Sequence, residues 1–277
     1  MKVYIVAMAK NENNYISEWC EWYLNYCFDK VIICDNNSID GERISDVIDN
    51  DKVEIRDYID RDIKQKEIYT NEYNRIYREC DWVLFCDCDE YIVLEEKYRH
   101  DIHNFLSDSI FNDCDTIRLN WMLFSGGDNL DVVDCDYSVV SRFTARYTDN
   151  TNEEKYGKNF YRTRDIILLK EDDKILAHFS KKSKNVVNAL GKECNNGFFT
   201  GRIPCYKNAW INHYPTKTIG EYIRQKYFRG GPNANPYRYN NLKYFFRYNT
   251  ETQEKKDYAN SLIKVLCERY AVKKSFL

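Results

Sequence analysis

The chain has 277 residues, 43% apolar and 16% aromatic, ample for a core, which excludes wholesale disorder and fits one large domain or one domain with an appendage. No run of about 18 apolar residues occurs, so no membrane span is expected. The start, MKVYIVAMAKNENN, lacks the apolar length and small-residue cleavage site of a secretory signal.

The net charge of −3 hides an asymmetry: residues 1–150 carry 16 Lys and Arg against 32 Asp and Glu, whereas residues 201–277 carry 15 against 5. A cation held by the front and an anion clamped by the back would produce this pattern; unequal solvated surfaces are the plain alternative. Eleven scattered cysteines with no C-x-x-C pair fit reduced thiols in a cytoplasmic setting, with Cys86 and Cys88 as packing residues.

In chain order, KVYIVAM (2–8) predicts a buried strand and NYISEWCEWYLNYC (14–27) an amphipathic helix on Ile16, Trp19, Cys20, Tyr23, Leu24 and Cys27. KVIICDNNS (30–38) and VEIRDY (53–58) predict two more strands, residues 64–80 a helix, and WVLFCD (82–87) a fourth strand. Alternating strands and helices argue for an α/β fold with a mostly parallel sheet flanked by helices. Ligands in such sheets sit beyond the carboxyl ends of the strands, where this chain places AKNEN, CDNNS and DCDE.

Further on, TIRLNWMLF (116–124) predicts a strand leading into SGGDN, residues 148–160 a polar loop, and DIILLK with KILAHF a hairpin around EDD. TIGEYIRQKYFRGG (218–231) and residues 254–272 predict helices. The aromatics between 227 and 248 suit either an acceptor platform or packing of the last helix, and packing is the stronger expectation. Contact of this basic, aromatic region with a membrane surface is a further option. No nucleic-acid motif accompanies the basic residues.

In an extended segment, Asp87 and Asp89 point the same way and repel unless a cation sits between them. Mg²⁺ or Mn²⁺ suits such oxygen ligands, although acidic strand ends without metal are common. Asp35 fits a ribose or base contact as well as a turn acceptor; Lys10, Asn11 and Glu12 follow the first strand as pocket or loop residues. No G-x-G-x-x-G follows the first strand and no P-loop occurs, which disfavours both nucleotide motifs. His213 suits a third metal ligand or a structural histidine. Lys226 and Arg229, three apart on the expected helix, suit oxygen anions or plain surface.

The stretches VAMAKNENNYISEWCEWYLNYCFDKVIICDNNSID, DWVLFCDCDEYI and INHYPTKTIGEYIRQKYFRG resemble, in order, blocks of glycosyltransferases with the GT-A fold, most closely the group related to glycosyltransferase family 92. WMLFSGGDN matches that group's glycine turn only loosely. The resemblance implies a catalytic domain over 1–231 with a helical extension over 232–277. It also implies metal-dependent, inverting transfer of a hexose from a UDP-sugar to a glycan acceptor, as in polysaccharide biosynthesis.

Carried over by position, Lys10, Glu12 and Asp35 line the nucleotide pocket, and Asp87, Asp89 and His213 hold Mn²⁺ or Mg²⁺, Asp87 also facing the nucleotide. Lys217, Lys226 and Arg229 hold the departing diphosphate. The acceptor needs a general base; Asp128 is preferred over Glu90, which an unbroken strand would point away from Asp89, with Asp131 and Asp134 as competitors. Two other classes remain: a DxD phosphohydrolase, and a sugar-nucleotide or glycan-binding protein without turnover.

Overall fold

Apolar, β-branched runs separated by helical stretches build the first half of the sheet. β1 (Val3–Ala9), β2 (Lys30–Asp35), β3 (Val53–Asp57) and β4 (Trp82–Phe85) pair in the order β3-β2-β1-β4, all parallel. The near-continuous burial of β1, β2 and β4 is what a parallel sheet covered on both faces requires. α1 (Asn13–Asn25) follows β1 and buries Tyr15, Ile16, Trp19, Cys20 and Tyr23 along one stripe; α2 (Gln65–Ile76) follows β3 and buries Ile68, Tyr69, Tyr73 and Ile76.

This computed structural model describes residues 1–58, 63–147, 155–166, 168, 174–196, 204–228 and 241–274, the side chains of 269–274 excepted. The chain divides into two units, Met1–Leu123 with Thr148–His213, and Phe124–Tyr147 with Tyr214–Leu277. The second unit takes in the glycine turn.

In the first unit the sheet continues through β5 (Glu90–Leu94), β6 (Thr116–Leu123), β7 (Gly157–Arg162) and β9 (Ala209–His213), in the order β4-β7-β6-β9-β5, with β8 (Val186–Asn188) also on β6. Five of the eight described pairings are parallel; β7 runs antiparallel to β4 and β6, and β5 antiparallel to β9. α3 (Ile102–Leu106) follows β5, capped by the Asp101 side chain, which accepts from His103 N.

Two expectations need correction. Residues 157–160 are not loop but the start of β7, buried throughout as GKNFYR. Hydrophobic periodicity misses such a strand because its polar side chains are satisfied inside: Asn159 Nδ2 donates to His178 O at 3.1 Å and Arg162 Nη1 to Asn112 O at 2.7 Å. The expected hairpin lies partly outside the described residues, and Ile175 meets Ser180 only in an isolated bridge.

The second unit contains α4 (Val139–Arg142), α5 (Ile219–Tyr222) running into a π-helical turn (Ile223–Tyr227), α6 (Leu242–Phe246) and α7 (Gln253–Lys274). Its core gathers Ile219, Tyr222, Ile223, Phe245 and Ala259, with Tyr227, Phe228 and Tyr244 packed against them, so the described aromatics of 227–248 serve packing. Thr218 and Glu221 cap α5 reciprocally, Glu221 N donating to Thr218 Oγ1 at 3.3 Å and Thr218 N to Glu221 Oε2 at 3.1 Å. A Cβ at Gly126 would lie 1.7 Å from Lys217 O, so only glycine fits that close approach. No described helix is long and apolar enough to cross a membrane.

Candidate active site

Strand direction gathers the site. β4, β6 and β9 run the same way, so their last residues share one sheet edge with the ends of β1 and β2; β5 and β7 run oppositely, so their first residues reach that edge too. Asp87 just past β4, Glu90 and Lys158 opening β5 and β7, and His213 closing β9 therefore come together from 127 residues of sequence.

Between β4 and β5 the chain turns instead of continuing extended. Glu90 N donates to Asp87 O at 3.1 Å, and Asp87 N donates back to Glu90 Oε2 at 3.0 Å. The turn breaks the alternation expected of DCDE: Asp87 and Asp89 meet different partners, and Glu90 is on the same side as Asp89.

Helix α1 fixes this turn through its Trp19 and Tyr23, four residues apart on one face. Trp19 Nε1 donates to Glu90 O at 2.8 Å and Asp87 O at 3.1 Å; Tyr23 OH donates to Glu90 O at 3.0 Å. The EW of the first sequence block is thus the clamp on the second.

Two sets of contacts divide the carboxylates. Lys158 Nζ, fully buried, lies 2.7 Å from Asp87 Oδ2 and 3.3 Å from Glu90 Oε2. Gln65 Nε2 donates to Asp87 Oδ1 at 2.8 Å. Burial pushes the Asp87 carboxyl up, and the Lys158 ammonium more than offsets this, leaving it below its ordinary value. Glu90, with no exposure, is pushed up to about 8 by burial, which Lys158 only partly counters. His213 Nε2 lies 3.7 Å from Asp89 Oδ1, and Glu90 and His213 are direct cross-strand partners.

The ligand atoms of Asp89, Glu90 and His213 lie within 4.8 Å of one another, the only such cluster among the described residues. Two carboxylates and an imidazole at that spacing suit a divalent ion with ligands at about 2.0–2.6 Å. Glu90 Oε1 supports the fit, being buried with no hydrogen-bond donor among the described residues. Of the expected Asp87, Asp89 and His213, this cluster contains Asp89 and His213 together with Glu90, while Lys158 and Gln65 contact Asp87.

The remaining expected residues are placed as follows. Asp35 is buried, its oxygens accepting from Ser38 N at 3.0 Å and Ile44 N at 3.1 Å, the turn-acceptor role. Glu12 is buried at the N-cap position of α1 and Lys10 is half-buried before it. In the second unit Asp128 is 99% exposed, with Lys255 Nζ at 3.3 Å, whereas Asp131 is engaged by Arg224 and Tyr258. Lys217 is buried, Lys226 Nζ donates to Pro215 O at 2.6 Å, and Arg229 lies outside the described residues.

Sequence reasoning missed Lys158, Trp121 and His178. Trp121 closes the pairing of β6 with β9, its ring 4.4 Å from that of His213 and 5.4 Å from that of His178. His178 Nδ1 donates to Gly157 O at 2.7 Å, and burial together with Lys158 pushes its imidazole down to about 3, which keeps it neutral. A lysine inside a short polar segment offers no periodic signal.

No family model matches the sequence, and no curated protein matches it. Among solved structures, S. aureus TarS 1–349 is similar at 14% identity and TM-score 0.42, covering 94% of this chain and 69% of that one. TarS 1–349 in complex with UDP-GlcNAc gives 12% identity and TM-score 0.44, with 95% and 79% covered. HddC from Yersinia pseudotuberculosis gives 10% and 0.33, with 66% and 92%. Likenesses at these TM-scores carry neither fold nor activity across, and the functional reading rests on this chain's own residues.

Proposed function

We propose that the chain is a GT-A-type glycosyltransferase that moves a hexose from a nucleotide-diphosphate donor, of which UDP-sugars are the leading candidates, to a glycan hydroxyl. The observation that carries this reading is the carboxylate–histidine cluster of Asp89, Glu90 and His213 at the carboxyl edge of a parallel βα layer, in the segments whose sequence resembles glycosyltransferase blocks.

Mn²⁺ or Mg²⁺ held by Asp89, Glu90 and His213 would neutralise charge on the departing diphosphate. Of these, Asp89 and His213 are the members open to solvent, with side-chain exposures of 12% and 10%. The chain's own work is to keep that group in place. Lys158 neutralises Asp87 and Glu90, and Trp19 and Tyr23 lock the turn, so little reorganisation is needed as charge develops. Asp128, accessible where Glu90 is sealed, is the candidate for accepting the acceptor's proton in an inverting attack. The diphosphate contacts of Lys217, Lys226 and Arg229 rest on the sequence resemblance.

The test is calorimetric titration of UDP with and without Mn²⁺, on the natural chain and on Asp89→Ala. Metal-dependent binding that the substitution abolishes supports the reading, and UDP-sugar turnover then identifies the donor. Binding indifferent to both metal and substitution refutes a metal-bound diphosphate.

A further inference from the structure

Trp121 is only half-buried, although its neighbours on β6 from Thr116 to Asn120 are buried and its own strand ends inside the sheet. Its ring stands among His213 at 4.4 Å, His178 at 5.4 Å and Tyr156 at 5.9 Å, with the Lys158 ammonium 5.8 Å from its centroid. The indole N–H is buried and meets no hydrogen-bond acceptor among the described residues. A half-buried indole beside two imidazoles and a buried ammonium is costly to maintain for packing alone, because apolar surface left to water and an unmade hydrogen bond both stand against it.

We infer that Trp121 is the platform on which the hexose ring of the donor stacks, and hence a residue that sets sugar specificity. The ligand class rests on the nucleotide-sugar reading above; the placement comes from the sheet. Along the shared edge the order is β2, β1, β4, β7, β6. Asp35 and Lys10 stand at the ends of β2 and β1, the acidic cluster after β4, and Trp121 at β6, three strand spacings or about 14 Å from β1. A base and ribose over β1 and β2 with a diphosphate at the acidic cluster would therefore carry the sugar toward Trp121, and not the base. The C–H face of a pyranose offers an indole many weak dispersion contacts, and its hydroxyls offer acceptors to groups around the ring.

The test reads Trp121 directly. In ¹⁵N-indole-labelled protein, its side-chain resonance is the one missing from the spectrum of Trp121→Phe. Free glucose, galactose and N-acetylglucosamine, then UMP, UDP and the corresponding UDP-hexoses, are titrated while UDP binding is followed by calorimetry. The expected result is that one of the hexoses and its UDP derivative shift this resonance while UMP and UDP leave it in place. In Trp121→Ala the advantage of that UDP-hexose over UDP should shrink about two- to tenfold. A resonance unmoved by every sugar, or moved as far by UMP as by a UDP-hexose, overturns the inference. A shift with free hexose in a protein that does not bind UDP upholds the platform and refutes the nucleotide reading; UDP binding without any sugar shift does the reverse.

Discussion

The ammonium of Lys158 lies 2.7 Å from Oδ2 of Asp87, across 71 residues of sequence, and both groups sit at the edge where the parallel strands end. A strand running into three carboxylates needs a compensating cation, and a side chain on β7 supplies it.

Replacing that lysine should therefore be expensive. Lys158→Met leaves Asp87 and Glu90 without their counter-charge and should cost about 3–5 kcal/mol in urea unfolding. Adding Glu90→Gln should recover part of the loss by removing one of the stranded carboxyls. Equal stability of Lys158→Met and the natural chain would show that the pair carries no net weight.

The clamp from α1 predicts a second effect. Trp19→Phe keeps the ring in the core but removes the N–H shared by the carbonyls of Glu90 and Asp87. Unfolding should become easier by about 1–3 kcal/mol, and Mn²⁺-dependent UDP binding should weaken with it, since the freed turn aims Glu90 and Asp89 less well.

β7 tolerates no side chain at its first residue. A Cβ on Gly157 would stand 1.8 Å from Leu119 O, inside the β6–β7 ladder. Gly157→Ala should lower the urea midpoint and, by displacing Lys158 next to it, weaken metal binding more than a surface substitution of equal stability cost.

Acid should loosen the second unit. Burial pushes Glu221 up, but hydrogen bonds from Arg142 (2.6 and 3.0 Å) and Thr218 hold its carboxyl below its ordinary value. A carboxyl lowered by folding contributes its stability above the unfolded pKa of about 4.3, and loses it as pH falls through the lower folded value. Urea midpoints should fall as pH drops from about 5 through the lowered folded pKa of Glu221. Glu221→Gln should flatten that slope while lowering stability at neutral pH.

If Asp128 accepts the acceptor's proton, Asp128→Asn should lower kcat about 10²–10⁴-fold and leave UDP affinity unchanged. Turnover within twofold of the natural chain would move the role to another group.

The first four strands, the two helices between them, and Asp89 and His213 as candidate ligands were legible because each carries a local signal: apolar runs, a 3.6-residue stripe, or polar residues at a strand's carboxyl end. The division of labour within DCDE was not. Strand alternation pairs Asp87 with Asp89, whereas a turn closed by Glu90 and pinned by Trp19 sends Asp87 to Lys158 and brings Glu90 to Asp89.

By itself the sequence determined that a parallel βα layer would end in acidic groups, since strand and helix periodicity follow from the order of side chains along one chain. Only the tertiary structure decided which cation answers those acids and which aromatic ring stands beside them. Lys158 and Trp121 reach the edge through the antiparallel entry of β7 and the pairing of β6 with β9, and strand direction and register are properties of contacts between distant segments.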